Sequence, residues 1–211
     1  MYRLAITARV IETREYSETR DAISHDWVTY LKCAIPECQV VVIPNQTTDP
    51  ATWLKVYSID GVILSNGEDL LVSPERDKVE YEIIRYALEN RIKLFGACRG
   101  MQVINKYFDG DLPENIEACY GISHVATKHT VDIIDELYRT GSSDRITVNS
   151  YHRQGVRKTM LSNQLRPFAI CDDIVEGLYH PNYSVLGIQW HPERAGSCRE
   201  YDEWLIRNFF L

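Results

Sequence analysis

The chain has 211 residues, of which 45% are hydrophobic and 25% charged, and its formal net charge is −7. This length suffices for a full hydrophobic core, so we expect a single globular domain over residues 1–211. The acidic balance disfavours nucleic acid or an anionic membrane as the main partner, because either would require a basic face.

The first half of the sequence alternates short apolar runs with amphipathic stretches of helix length. The pattern predicts strands over residues 2–8, 39–43 and 61–65, a helix over residues 20–33, a long helix from Pro74 and a strand just before Cys98. Strands separated by helices favour a parallel sheet. Ligands of such sheets bind outside the carboxyl ends of the strands.

The second half is richer in strand patterns. They predict strands over residues 130–134, 145–148, 168–171, 174–179 and 185–189, and a closing helix over residues 199–211. The expected fold class is therefore α/β, a three-layer sandwich with a mostly parallel central sheet and helices on both faces. An extra antiparallel β region is expected in the second half.

Cys98 lies between Gly96 and Gly100, where a predicted strand passes into a helix pattern. Glycines let the chain turn sharply and leave the central side chain at the sheet edge, as in a nucleophile elbow. The first amides of the helix would then stabilise a thiolate, the form that attacks carbonyl carbons. The alternative is a buried structural cysteine at the end of a core strand.

A cysteine nucleophile needs a base and a group that orients this base. His191 ends a predicted strand and therefore faces the same sheet edge as Cys98, and Glu193 is placed to accept its imidazole N–H. Cys98, His191 and Glu193 thus form the predicted catalytic triad. His152, the alternative base, is flanked by Tyr151 and Arg153. Surface or packing roles are expected for the other histidines, which are His25, His124, His129 and His180.

Polar residues at the ends of other predicted strands extend this site. The loop at Asn66 and Gly67 follows an apolar strand, and the amides of Gly67 and Arg99 are the expected oxyanion donors. Gln102 lies one helical turn after Cys98, where it would either reach a bound substrate or lie on the helix surface. A second polar run, over residues 148–155, also follows a predicted strand at this edge.

The six cysteines, at positions 33, 38, 98, 119, 171 and 198, form no C-x-x-C pair and no zinc-like spacing with histidines. We expect most of them to be buried thiols, and we expect no metal or cofactor. The first residues are too weakly apolar for a signal peptide, and no stretch approaches the roughly 20 apolar residues of a membrane span. A reducing cytoplasm is the expected compartment.

The G-x-C-x-G run at residues 96–100 and the late H-P-E at residues 191–193 resemble the class I glutamine amidotransferase superfamily. The wider runs at residues 95–102, 148–155 and 187–193 resemble its γ-glutamyl hydrolase branch. The resemblance implies cleavage of a γ-glutamyl amide through a γ-glutamyl thioester. Cys98 would be the nucleophile, His191 the general base and acid, and Glu193 the orienting carboxylate.

The resemblance also implies how the γ-glutamyl group is held. Gln102 and the segment Ser150, Tyr151 and His152 would hold its α-amino and α-carboxylate groups, and Asn66 and Arg153 are further expected substrate contacts. The chain departs from the branch at two places: relatives often carry a Gly-Gly-x-Asp loop where it has residues 66–69, and a second histidine where it has Arg153.

The chain resembles hydrolases that act on γ-glutamyl-CDP-amidate in capsule biosynthesis. This resemblance is carried by the short length of the chain, the segment at residues 20–27 and Arg153. That reaction would release glutamate and cytidine diphosphoramidate, with Arg153, Arg20 or Arg9 meeting the diphosphate. The alternatives are a γ-glutamyl-γ-aminobutyrate-type hydrolase, a glutaminase subunit that delivers ammonia to a synthetase partner, and a binding protein on the same scaffold. A small-molecule substrate is the expected partner, and a homo-oligomer is left open.

Overall fold

A central mixed β-sheet dominates the computed structural model, which describes residues 2–13, 15–121, 125–141 and 143–211 without the side chains of residues 119 and 120. The strands are β1 (Tyr2–Thr7), β2 (Arg9–Thr13), β3 (Glu18–Ala22), β4 (Cys38–Ile43), β5 (Gly61–Leu64), β6 (Lys93–Ala97), β7 (Glu114–Asn115), β8 (Val125–Ile133), β9 (Arg145–Tyr151), β10 (Gln154–Arg157), β11 (Arg166–Cys171), β12 (Ile174–Tyr179) and β13 (Val185–Ile188). The helices are α1 (His25–Ala34), α2 (Pro50–Val56), α3 (Pro74–Asn90), α4 (Arg99–Tyr107), α5 (Ile116–Tyr120) and α6 (Arg199–Phe210).

The sheet has a parallel half and an antiparallel half. Its order is β4-β1-β5-β6-β13-β12-β11-β8-β9, with β4, β1, β5, β6 and β13 parallel to one another. From β13 onward each neighbouring pair is antiparallel. The predicted fold class is therefore confirmed. Because β6 and β13 are adjacent and parallel, the segments that follow them emerge side by side at one edge.

Two buried apolar clusters lie on opposite faces of this sheet. One is formed with α1 and α6, through residues such as Trp27 and Leu205. The other is formed with α3 and α4, through residues such as Ile83 and Val103. Pro74 opens α3 at its first turn, and Arg91 ends it in the left-handed conformation with a φ of 55°. The helix predicted from Pro74 is thus present, at the length that the apolar spacing suggested.

The helix predicted over residues 20–33 is wrong in its first part. Residues Glu18–Ala22 form β3, which pairs with β2 in an antiparallel hairpin. The helix begins only at His25, where the Ser24 side chain accepts a hydrogen bond from the Asp26 amide. Pairing with the β-branched residues of β2 outweighs the helical spacing in this segment. Helix α2 and the short strands β7 and β10 were not predicted.

The expectation that most cysteines are buried is also wrong for the described side chains. Cys98 is buried, whereas Cys33 is exposed and the other three described thiols, at Cys38, Cys171 and Cys198, are half-buried. Cys119 lies outside the described side chains. Within the described ranges, each helix is too short or too polar to cross a lipid bilayer.

Candidate active site

Cys98 occupies a strained turn between β6 and α4. Its φ is 52° and its ψ is −106°, and its amide donates to the Ile188 carbonyl at 2.8 Å. A Cβ added to Gly96 would lie 2.5 Å from the Gly100 backbone, and one added to Gly100 would lie 2.1 Å from the Leu64 carbonyl oxygen. Backbone packing therefore requires both glycines, and the strain at Cys98 is typical of a functional turn.

His191 lies beside this cysteine, just past the end of β13. The imidazole is buried, and its Nδ1 lies 3.0 Å from Oε1 of Glu193. Burial lowers the pKa of His191, but the Cys98 sulfur and the hydrogen bond to Glu193 raise it to about 9. The raised pKa favours an imidazolium at His191 at neutral pH. His191 is thus the imidazole whose pKa the Cys98 sulfur raises, and its choice over His152 as the base stays a prediction.

Asn66 contacts the back of this pair. Its Oδ1 accepts a hydrogen bond from Nε1 of the fully buried Trp27 at 3.0 Å, which turns the amide nitrogen towards His191 and Glu193. That nitrogen lies 3.2 Å from Oε1 of Glu193 and 3.0 Å from Nδ1 of His191. Asn66 therefore contacts both members of the His191–Glu193 pair, and the substrate contact expected from the sequence stays a prediction.

A pair of buried glutamines reaches the sulfur from the other side. Gln189 places Nε2 3.6 Å from Sγ of Cys98, and its Oε1 accepts from Nε2 of Gln102 at 3.3 Å. The same Gln102 nitrogen donates to the Gln154 carbonyl at 3.2 Å. Gln102 is thus buried at the sheet edge and does not lie on the helix surface. Gln189 was missed by sequence reasoning, although its position two residues before His191 could have indicated it.

The two residues expected to supply oxyanion amides lie on adjacent strand ends. Arg99 is the first residue of α4, where backbone amides have no intrahelical partner. Gly67 follows β5, and a Cβ there would lie 2.2 Å from Nη1 of Arg76. A side chain at position 67 would therefore collide with a buried guanidinium.

This guanidinium belongs to a buried ionic network beneath the turn. Arg76 lies 3.1 Å from Oε1 of Glu80 and 3.0 Å from Oε2 of Glu68, and it donates to the Ser65 carbonyl at 2.8 Å. The Arg99 side chain pairs with Glu80 and with Asp77. Burial by itself raises the pKa of Glu80, but Arg76 and Arg99 together lower it. The network joins α3 to the elbow and to the loop after β5, and sequence reasoning did not find it.

The polar run after residue 148 is divided between the site and its surroundings. Ser150 is fully buried, and the Tyr151 ring meets the His191 ring edge-on at 5.6 Å between centroids. His152 is buried with Nδ1 3.0 Å from the Gln154 carbonyl oxygen. Arg153 is exposed, and its carbonyl accepts from the Ile116 amide at 2.8 Å.

The remaining histidines have varied surroundings. His25 is exposed, while Nδ1 of the buried His180 accepts from the Asn182 amide at 3.0 Å. Burial lowers the pKa of His180. His129 faces the buried Glu176, with Nε2 3.3 Å from Oε1. His124 lies outside the described residues.

Known proteins resemble the chain over most of its length. It is 30% identical to a gamma-glutamyl-CDP-amidate hydrolase of Campylobacter jejuni over 95% of this chain and 96% of that one. It is 32% identical to a gamma-glutamyl-gamma-aminobutyrate hydrolase of Escherichia coli O157:H7, over 80% and 78%. A glutamine-hydrolyzing GMP synthase component from Pyrococcus furiosus is 28% identical over 80% and 82%.

Two solved structures share the fold of this chain. The glutaminase domain of a Trypanosoma brucei CTPS superposes with a TM-score of 0.70 at 15% identity, covering 99% of this chain and 92% of that one. A Thermotoga maritima glutamine amidotransferase gives a TM-score of 0.65 at 13% identity, over 97% and 81%. The family model described as Peptidase C26 matches residues 5–193, and the chain accordingly belongs to the peptidase C26 family, with a class I glutamine amidotransferase-like fold.

Proposed function

We propose that this protein hydrolyses a γ-glutamyl amide through a thioester on Cys98. The observation that carries the proposal is the meeting of a strained, glycine-flanked cysteine with a buried His191–Glu193 pair. The raised pKa of His191, about 9, keeps its imidazole protonated beside the sulfur at neutral pH. The γ-glutamyl hydrolases among the relatives support the same type of reaction.

In the first step the Cys98 thiolate attacks the γ-carbonyl carbon and forms a C–S bond, while the carbonyl oxygen becomes an oxyanion. The amides of Gly67 and Arg99 are the proposed donors to this oxygen. As the C–N bond breaks, His191 gives its proton to the leaving nitrogen. The γ-glutamyl thioester and the released amine or amidate are the products.

In the second step neutral His191 removes a proton from water, and the resulting hydroxide attacks the thioester carbon. The C–S bond breaks, glutamate leaves, and the proton taken by His191 restores the thiolate–imidazolium pair. Glu193 accepts from Nδ1 throughout, so Nε2 remains directed at the reacting atoms.

For the leaving group we propose a nucleoside diphosphate amidate, with γ-glutamyl-CDP-amidate as the specific candidate. The Campylobacter jejuni relative supports this choice, because it matches the chain over nearly the full length of both proteins. Among the three arginines considered from the sequence, Arg20 is paired with Glu18 at 2.7 Å, and Arg153 is exposed.

Arg9 is the best placed of the three to meet a diphosphate. It follows β1 beside the loop after β5, where its Cβ would lie 3.1 Å from a Cβ added to Gly67. Its Nε is buried and has no hydrogen-bond partner among the described residues. A guanidinium in that position would pair with phosphate oxygens next to the scissile bond.

Glutamate release tests this proposal. The isolated protein is incubated with γ-glutamyl-CDP-amidate, γ-glutamyl-γ-aminobutyrate or glutamine, and intact mass detects a glutamyl adduct on Cys98. We expect the nucleotide conjugate to be preferred by roughly tenfold or more in kcat/KM, and we expect Cys98→Ala to abolish all turnover. Arg9→Ala should slow only the nucleotide substrate, with Arg20→Ala as the matched control.

Other outcomes of the same assay separate the alternatives. Equal turnover of the γ-aminobutyrate conjugate would contradict the nucleotide substrate while leaving the γ-glutamyl chemistry intact. A protein that is inactive alone but cleaves glutamine when a synthetase is added would favour the glutaminase role, which the Pyrococcus furiosus relative keeps open. Full turnover by Cys98→Ala would overturn the mechanism itself.

A further inference from the structure

A buried carboxylate outside the proposed triad lies close to the active site. Glu176, on β12, is 0% exposed, and neither of its carboxylate oxygens accepts a hydrogen bond within the described part of the chain. Two histidines flank it: Nε2 of His129 lies 3.3 Å from Oε1, and Nε2 of His152 lies 3.9 Å from the same atom. An anion buried in this way is costly unless a cation compensates it.

The backbone presents this carboxylate through a β-bulge. In the pairing of β11 with β12, Ala169 faces Gly177 and Ile170 faces Val175, which leaves Glu176 as the extra residue. Bulges re-aim a side chain and occur often beside active sites. The irregularity thus directs one acidic side chain inward at a position where the regular ladder would have placed a paired residue.

Two chains of contacts connect Glu176 to the nucleophile. Its carbonyl accepts from the Gln189 amide at 2.8 Å, and the Gln189 side chain lies 3.6 Å from Sγ of Cys98. On the other side, Nδ1 of His152 and Nε2 of Gln102 both lie within 3.2 Å of the Gln154 carbonyl oxygen. The Gln189 contact fixes the backbone of Glu176, whereas its carboxylate faces His152, which shares the Gln154 carbonyl with Gln102.

We propose that Glu176 is the anchor for the α-ammonium group of the substrate. This inference rests on the proposed function, because a γ-glutamyl group carries an ammonium at the opposite end of its side chain from the scissile carbonyl. A carboxylate that faces the His152 segment, where the substrate is expected, and does not contact the sulfur meets that requirement of charge and separation. His129 is the neighbouring side chain that shares Oε1 with the proposed ammonium position.

A comparison of two anilides tests the anchor. γ-Glutamyl p-nitroanilide carries the α-ammonium, whereas glutaryl p-nitroanilide lacks only that group, and both release the same chromophore. We expect the wild-type protein to prefer the γ-glutamyl compound and Glu176→Gln to lose roughly 10- to 100-fold in kcat/KM on it alone. Turnover of the glutaryl compound should be almost unchanged. Asp132→Asn is the matched control, because this exposed carboxylate pairs with Arg145.

A merely structural role would lower turnover of both anilides by the same factor, and this result would overturn the proposal. Equal preference of wild type and Glu176→Gln for the γ-glutamyl compound would overturn it as well, while the hydrolase function would stand. Failure of the function itself is distinguishable, because wild type would then turn over neither compound. Binding supplies the second readout: Cys98→Ala should bind glutamate more tightly than glutarate, and the double variant Cys98→Ala, Glu176→Gln should not.

Discussion

At the scale of single residues, the chemistry depends on the proton held by His191. Burial opposes the charge on this imidazole, and the Cys98 sulfur together with Glu193 overcomes that opposition, which raises the pKa to about 9. The proton that the first step gives to the leaving nitrogen is therefore expected to titrate near pH 9 in the free enzyme. Asn66 donates a hydrogen bond to Oε1 of Glu193, the same atom that contacts Nδ1 of the His191 imidazole.

Glu193→Gln should move the alkaline limb of the kcat/KM profile to lower pH. Removing this charge removes one of the interactions that raise the pKa of His191, so the imidazolium is lost earlier as pH rises. The profile is measured with a γ-glutamyl anilide between pH 5 and pH 10, and Glu89→Gln, at an exposed partner of Arg85, is the control. An unchanged limb would assign the alkaline titration to a group other than His191.

At the scale of elements, the elbow depends on the close approach of α4 to β5. Gly100→Ala should lower both stability and activity, because the new Cβ would lie 2.1 Å from the Leu64 carbonyl and force α4 away from the sheet. We expect a loss of roughly 1–3 kcal/mol in the free energy of unfolding, measured by urea denaturation, and at least a tenfold loss in kcat.

The control for this helix displacement is Gly141→Ala. Its φ is 66° and an added Cβ meets no atom of the described residues within 4 Å, so it reports backbone strain alone, about 1 kcal/mol. Activity should be preserved there. A Gly100→Ala protein as active as wild type would show that the elbow tolerates a wider spacing than the backbone contact implies.

The elements that sequence reasoning predicted well are those whose signals are local. The turn at Cys98 and the strand that ends before His191 carry their glycines, proline and apolar runs within a few residues of the reacting groups. The hairpin of β2 and β3 was missed because pairing across the turn, not spacing along the chain, decides its structure. Arg76 and Glu80 have ordinary helical spacing, and only the packing of α3 against the elbow shows that they are buried.

Glu176 illustrates the same limit at the active site. The residues around it have the pattern of an ordinary buried strand, and β12 was predicted with the bounds that the structure has, residues 174–179. What sets the residue apart is a register shift against β11 and two histidines that come from other parts of the chain. Those are tertiary features, and no pattern along one strand contains them.

At the scale of the whole molecule, one buried carboxylate couples stability to pH. Asp202, in the first turn of α6, accepts from Nε1 of Trp190 at 2.8 Å, and its carbonyl accepts from the Tyr30 hydroxyl at 2.7 Å. It therefore joins α6 to α1 and to the segment after β13. Burial raises the pKa of Asp202 to about 7, despite the hydrogen bond from Trp190.

Asp202→Asn should consequently flatten the pH dependence of unfolding. In the wild type the folded state keeps its proton up to about pH 7, whereas the unfolded chain loses it near pH 4. Stability from this group is thus full below about pH 4 and is lost as pH rises towards 7, by about 1.4 kcal/mol per pH unit. Asparagine keeps the acceptor for Trp190 without the charge. The free energy of unfolding of the variant should therefore exceed that of wild type by a few kcal/mol between pH 4 and pH 8.

Urea unfolding at several pH values measures this gain, with Glu82→Gln as the exposed control. Parallel curves for wild type and Asp202→Asn would mean that Asp202 titrates alike in both states and that the junction of α6 with α1 carries its charge without penalty.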